Sequence, residues 1–148
     1  IAMVVEPPED GWEACLDVEP DMGFKCCICY EVMLHPVSGC QQEHTACKSC
    51  LDAHLNSASG AKCPAGCGGA VSRETVRSQL PLRRVIHSLR AHCKHAPPAG
   101  SDGSGAADDQ CCSWKGEFGD LLEHLRLHCP HEDVKCQYSG VGCNWISK

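Results

Sequence analysis

Between Cys26 and Cys67 seven cysteines and one histidine fall into pairs: Cys26-x2-Cys29, Cys40-x3-His44, Cys47-x2-Cys50 and Cys63-x3-Cys67. A two-residue gap lets one tight turn aim both sulfurs at a single ion and its own amides at the thiolates. Four such pairs supply ligands for two tetrahedral sites, and Pro36, Gly39, Pro64, Gly66, Gly68 and Gly69 beside them suit the turns. Little else could hold the fold. The 148 residues carry 15 cysteines but only 3 Trp, 2 Tyr and 2 Phe, too few large apolar side chains for a sizeable core, so a cross-link must take its place. Zinc is expected over disulfides. The cysteine count is odd, histidines follow cysteines at ligand-like intervals, and the apolar start IAMVV is far shorter than the ~7–15 residues that export requires. A reducing, cytoplasmic compartment is therefore expected.

The formal charge of −6 treats every cysteine as neutral. Ligand thiols are deprotonated, so a four-cysteine zinc site nets about −2 and a site of three cysteines and a histidine about −1. An acidic chain of this kind disfavours general nucleic-acid binding. Residues 1–23 hold seven acids, no base, and Pro7, Pro8 and Pro20; they read as an acidic, mostly extended N-terminal arm. In the Cys-rich block, residues 47–55 are the plausible helix, with Leu51 and Leu55 on one face. Residues 72–92 reverse the charge with Arg73, Arg77, Arg83, Arg84 and Arg90 against Glu74. Leu82, Val85, Ile86 and Leu89 there form one helical stripe, and Pro81 fits the first turn of a helix over 82–92. Residues 97–110, PPAGSDGSGAADDQ, are a flexible insert by composition. DLLEHLRLH (120–128) is a short helix with Asp120 as N-cap and Leu121, Leu122 and Leu125 inward. A C-x-W step at Cys112–Trp114 recurs at Cys143–Trp145, which suggests two copies of one small unit.

The stretch FKCCIC…HPVSGCQQEHTACKSC…KCPAGC resembles a RING domain over residues 24–69: three cysteines, a histidine, then four more cysteines, with Pro-Val before the third ligand. The resemblance implies an interleaved cross-brace. Cys26, Cys29, Cys47 and Cys50 would hold one zinc, and Cys40, His44, Cys63 and Cys67 the second. Cys27 is then the spare thiol of CCIC, and Cys15 is a free or packed thiol without partner spacing. The array that follows is similar to the zinc fingers of TNF-receptor-associated factors. Residue by residue that gives Cys93, Cys112, His124 and Cys129 as ligands of a third zinc. Cys111 beside Cys112, and His128 one helical turn past His124, remain alternatives. Cys136 and Cys143 would open a further finger whose closing ligands lie past Lys148.

The expected fold is thus a row of small α+β zinc-stabilised modules. It comprises the acidic arm 1–23, a RING-type domain 24–70, a connecting helix 71–92, a TRAF-type finger 93–129 with its insert, and the start of a truncated finger at 130–148. The sites look closed, and neither H-E-x-x-H nor the deaminase H-x-E with P-C-x-x-C is present. No catalytic residue is expected on the chain itself. Resemblance to RING domains implies a ubiquitin ligase that binds a ubiquitin-charged E2 enzyme through Ile28, Pro64 and Leu55 (or Ala53 beside it) and acts by positioning. The competing expectation is an inactive zinc-stapled scaffold or a structural subunit of a larger assembly. Partners would be E2 and ubiquitin or other proteins, with no membrane, no nucleic acid, and a homodimer compatible with the family. Three departures from the family pattern bear on activity: CPAGC carries one residue more than the usual C-P-x-C, QQE between Cys40 and His44 lengthens another loop, and Gly68 stands where many RING ligases place Arg or Lys.

Overall fold

The computed structural model describes residues 3–5, 7–58, 60–97, 111–136 and 146–147. The chain divides into two compact units: Glu19–Ser88, and Ile1–Val18 together with Leu89–Lys148.

The first unit is built on a three-stranded antiparallel sheet. Its strands are β2 (Pro36–Ser38), β3 (Thr45–Cys47) and β4 (Arg77–Ser78), numbered after β1 (Met3–Val4) of the other unit. β2 lies in the middle, with Pro36 opposite Cys47 and Val37 opposite Ala46 on one side and Val37 opposite Ser78 on the other. Helix α1 (Lys48–Leu55) leaves β3 directly, so Cys47 is both the last strand residue and the helix N-cap. Leu51 is its buried residue and Leu55 is half-buried, as the one-sided pattern predicts. The core is small: Val32, Met33, Val37, Ala46, Leu51, Val71 and Ile86.

Helix α2 (Leu80–His87) starts two residues earlier and stops five residues sooner than the stripe over 82–92 suggests. Pro81 does sit in the first turn and Ile86 is fully buried, but Val85 is half exposed. The cause lies downstream. Residues Arg90–His92 form strand β5, paired antiparallel with β6 (Lys115–Glu117), and the Leu89 carbonyl accepts from the Phe118 amide at 2.8 Å. Tertiary strand pairing overrides a helical stripe whose final member, Leu89, matched by period alone.

The second unit packs Trp12, Leu16, Ala91, Phe118, Leu121 and Leu125 around this hairpin. Its N-terminal segment is not a bare extended arm. Trp12–Cys15 forms a 3-10 turn that buries Trp12 and Cys15, Leu16 bridges Ala91, and the Asp17 amide donates to the Arg90 carbonyl at 3.0 Å. Burying an indole removes far more apolar area from water than the flanking acids lose by staying exposed around it. Helix α3 (Phe118–Glu123) begins with Glu117 as N-cap, places Asp120 in its first turn, and continues as a π turn over His124–His128. Leu121 and Leu125 are buried and Leu122 is half-buried. Strand β7 (Val134–Cys136) pairs with β1 on one side and with β8 (Ile146–Ser147) on the other. The insert from 98 to 110, Cys143 and Trp145 lie outside the described residues, and with them the second C-x-W step and most of the further finger.

Candidate metal centres

Three groups of four Cys/His side chains converge among the described residues. They are Cys26, Cys29, Cys47 and Cys50; Cys40, His44, Cys63 and Cys67; and Cys93, Cys112, His124 and Cys129, with the ligand atoms of each group within 4.8 Å of one another. The first two interleave along the chain: the second group's opening pair falls between the two pairs of the first.

Local hydrogen bonding builds each knuckle. The Cys26 amide donates to the Glu31 carbonyl and the Tyr30 amide to the Cys26 carbonyl, both at 2.9 Å, closing a turn in which Tyr30 takes φ 61°. That turn points the Ile28 amide at Cys26 Sγ (3.4 Å), and the amide of Cys47, arriving from β3, adds a second donor at 3.2 Å. The α1 start then delivers Cys47 and Cys50 on one helical turn. In the second group, the Glu43 amide donates to the Cys40 carbonyl at 3.1 Å. The Cys63–Cys67 loop is a tight reversal in which Lys62 bridges Ala70 and the Cys63 amide donates to the Gly69 carbonyl at 2.8 Å. Gly66 and Gly68 in it take φ 79° and 74°, the left-handed region that costs an L side chain roughly 1–2 kcal/mol. The extra residue of CPAGC is therefore absorbed by two left-handed glycines, and the position after Cys67 is conformationally reserved for glycine. On the other side of the loop, His54 Nε2–H of α1 donates to the Lys62 carbonyl at 2.8 Å and ties the helix to it.

The third group depends on the π turn. In an α-helix of 3.6 residues per turn, a residue five positions on lies about 140° round the axis, and one four positions on only about 40°. An α-helical continuation would thus have brought His128 beside His124 and carried Cys129 away. Instead the Cys129 amide donates to the His124 carbonyl at 2.7 Å, an i to i+5 bond of the kind that marks functional bulges. Cys129 is buried in the cluster and His128 is exposed. Cys111, half-buried, likewise falls in no such group while its neighbour Cys112 does. Trp114 stacks on the His124 ring with centroids 4.6 Å apart and planes at 12°, and the Trp114 ring lies where a Cβ at Gly116 would come within 2.6 Å of it. The C-x-W step thus has a structural reason: the tryptophan fixes the orientation of the histidine.

The spacings fit zinc. With Zn–S near 2.3 Å and Zn–N near 2.0–2.1 Å, a tetrahedral site has S···S edges of about 3.8 Å and S···N edges of about 3.6 Å. Cys93 and Cys129 sulfurs are 3.7 Å apart, far beyond the ~2.05 Å of a disulfide. Cys40 and Cys63 sulfurs lie 3.5 and 3.7 Å from His44 Nδ1, and Cys112 Sγ is 3.4 Å from His124 Nε2. These contacts have the lengths of the edges of a zinc coordination tetrahedron. Each group also supplies four protein donors, the closed arrangement of a structural site.

The electrostatics favour a cation. Burial tends to raise Cys40, but amides of His44 and Gln42, the His44 ring and the Cys63 thiol hold it at about 6. Its partner Cys63 is pushed to about 11, first by burial. In the first group burial again opposes ionisation of Cys26, yet amides of Cys29, Cys47 and Ile28 bring it below the usual thiol value. Cys50 rises to about 12 and Cys47 further still, through burial and then the neighbouring thiolates. Cys93 and Cys129 are raised, burial being the largest cause. Cys47, Cys50, Cys63, Cys93 and Cys129 are thus disfavoured as thiolates by the protein alone, and a dication would supply the compensating charge.

The residues that the RING resemblance places at an E2 surface sit around the first two groups. Ile28 is half-buried in the first knuckle, Leu55 ends α1, and Pro64 is half-buried in the Cys63–Cys67 loop. Outside the clusters, the site features that spacing did not show are the π turn, the Trp114–His124 stack and a buried carboxylate. Glu132 reaches Lys94 Nζ at 2.8 Å and His95 Nε2 at 2.7 Å, bracing the Cys93 knuckle against the segment after Cys129. A Lys-His pair directly after Cys93 and an acid three residues after Cys129 were its only trace in the sequence.

No protein-family model matches the chain. Among curated proteins it is similar to the mouse E3 ubiquitin-protein ligase PDZRN3, 29% identical over 126 residues, covering 85% of this chain and 10% of that protein. It is similar to the putative E3 ubiquitin-protein ligase SINA-like 6 of Arabidopsis thaliana, 28% identical over 138 residues, 82% of this chain and 45% of that protein. The human E3 ubiquitin-protein ligase SIAH2 is 25% identical over 117 residues, 79% of this chain and 32% of that protein. The chain spans less than half the length of these relatives. No helix among the described residues is long and apolar enough to cross a membrane.

Proposed function

We propose that this chain is the RING-type module of an E3 ubiquitin ligase, with a TRAF-type finger after it, acting in the cytoplasm. The observation that carries the reading is the interleaving of two four-ligand clusters in the unit Glu19–Ser88, in a chain whose similar proteins are named as ubiquitin ligases. Cys26, Cys29, Cys47 and Cys50 hold one zinc ion, Cys40, His44, Cys63 and Cys67 a second, and Cys93, Cys112, His124 and Cys129 a third. When bound, zinc neutralises the thiolates and cross-links segments too poor in apolar surface to fold alone.

No group on the chain takes part in covalent chemistry. Ile28, Leu55 and Pro64 form the apolar surface that receives a ubiquitin-charged E2, and the His54–Lys62 bond holds the α1 and Pro64 sides of it at a fixed separation. In the E2-bound thioester, a substrate lysine amine attacks the carbonyl carbon. The C–S bond breaks, the thiol is released on E2, and an isopeptide bond forms. The ligase contributes orientation, which is where most of the barrier to such a bimolecular step can be lowered. The test is autoubiquitination with purified E1, a panel of E2 enzymes, and the Ile28→Ala variant. Chain formation with at least one E2, lost in the variant, supports the reading.

One observation favours the second reading, a scaffold without ligase activity. Gly68 stands in the left-handed region where a basic residue would bridge E2 and ubiquitin in related domains. A scaffold would bind no E2, so absence of chains with every E2, together with absence of E2-induced shifts at Ile28 and Pro64, would select it.

A further inference from the structure

A small cavity of ≈140 Å³ opens in the unit Glu19–Ser88 between the β2–β4 edge and the starts of α1 and α2, and none of the cluster cysteines or His44 lines it. It is lined by His35, Lys48, Ser78, Leu80 and Arg83, with Pro36, Val37 and Gln79 as its floor. Three of the lining side chains are basic and none is acidic. The volume decides what could enter. At about 30 Å³ per water it holds a few waters, and drug-sized or nucleotide ligands need ≈300–1,000 Å³. Room exists for a single functional group.

The cations are available. Arg83, half-buried in α2, has no side-chain hydrogen-bond or ion-pair partner among the described residues, so its guanidinium is open to an incoming acceptor. Lys48 pairs with Asp52 at 2.6 Å, but both side chains are well exposed, 64% and 41%, and such a pair is worth at most about 1 kcal/mol. His35 is held below the usual histidine range, first by burial and then by the neighbouring Arg83 guanidinium. His87 is anchored by donating from Nε2–H to the Leu34 carbonyl at 2.8 Å, and packs edge-on against His35 with ring centroids 6.4 Å apart. At the rim, α2 begins without a side-chain cap, because Gln79 turns its amide to Ser38 Oγ instead. The first amides of α2 are therefore left without a side-chain cap at the positive end of the helix.

We infer that the cavity formed by Arg83, Lys48, His35 and Ser78 is a binding site for a phosphoryl group carried on a side chain of a partner protein. A dianion matches the Arg83 and Lys48 cations and a histidine that can donate, and Arg and Lys side chains are recurring partners of phosphoryl oxygens. A carboxylate carries half the charge and fewer acceptor oxygens. The site is independent of the E2 surface and stands whether or not the ligase reading does.

The test is a titration of the ¹⁵N-labelled, zinc-loaded chain with inorganic phosphate, phosphoserine and acetate at matched ionic strength. Saturating shifts at Ser78, Leu80 and Arg83 are expected with phosphate and phosphoserine. Arg83→Gln and, separately, Lys48→Gln should weaken binding at least about ten-fold at unchanged zinc content, while Arg84→Gln, exposed on the same helix, should change it less than two-fold. Acetate binding as tightly as phosphate, phosphate binding without phosphoserine binding, no saturable shift, or equal weakening by Arg84→Gln would each overturn the assignment.

Discussion

Cys129 closes a π turn on His124, its amide donating to the His124 carbonyl at 2.7 Å. That one bond selects between two histidines that lie one helical turn apart, because it brings Cys129 to the cluster and leaves His128 in solvent. The expected consequence is a sharp contrast. His124→Ala should lower bound zinc by one equivalent per chain, measured by elemental analysis after gel filtration, and His128→Ala should leave it unchanged. Equal loss in both would mean that the turn does not set the ligand.

The left-handed Gly68 predicts a stability cost for restoring the basic residue found in related domains. Gly68→Arg meets open space for its side chain but forces φ near 74°, so it should destabilise the unit Glu19–Ser88 by about 1 kcal/mol. In a unit of this size that corresponds to roughly 4–8 °C in Tm. An unchanged or raised Tm would show that the loop relaxes to a right-handed conformation.

The buried Glu132 braces Lys94 and His95. Its removal takes one charged hydrogen-bond partner from each of these side chains, at a cost of about 2 kcal/mol. Glu132→Ala is expected to lower the unfolding midpoint of the second unit in urea while zinc is in excess, and Glu132→Gln to lower it by less.

Burial raises Cys15 from 9.0 to about 11, against the opposing charge of Lys94. The folded state therefore holds the thiol proton more tightly than the unfolded state. The resulting stabilisation is complete below about pH 9 and is lost as pH rises through 11. The difference in stability between the wild type and Cys15→Ala should shrink over that window, and Cys15 should resist iodoacetamide at pH 8 in the folded protein. Rapid alkylation there would contradict its burial.

The knuckles of the first two clusters were legible because ligand spacing is local, encoded in four or five consecutive residues, whereas their interleaving and the Cys93, Cys112, His124 and Cys129 set came from the family resemblance. The structure assembles the same residues that the spacing and the family resemblance pair. What escaped was set at longer range. Leu89 fits the helical stripe of Leu82, Val85 and Ile86, yet its neighbours Arg90–His92 pair with Lys115–Glu117 across the insert, a contact no period reveals. Trp12, Cys15 and Leu16 were submerged in an acidic, proline-bearing run, although an isolated tryptophan there was a signal for burial. The π turn was invisible because sequence patterns assume 3.6 residues per turn. Pro81, by contrast, sits in the first turn of its helix as its fixed φ suggests.

The most direct test of the ligase account is single-turnover discharge of a purified E2–ubiquitin thioester onto free lysine, followed with and without the zinc-loaded chain. The account predicts acceleration of at least ten-fold with a productive E2. It also predicts loss of that acceleration in Ile28→Ala at full zinc content, and after removal of zinc by a strong chelator. Discharge at the uncatalysed rate with every E2 tried, by a chain that retains its zinc, would contradict it.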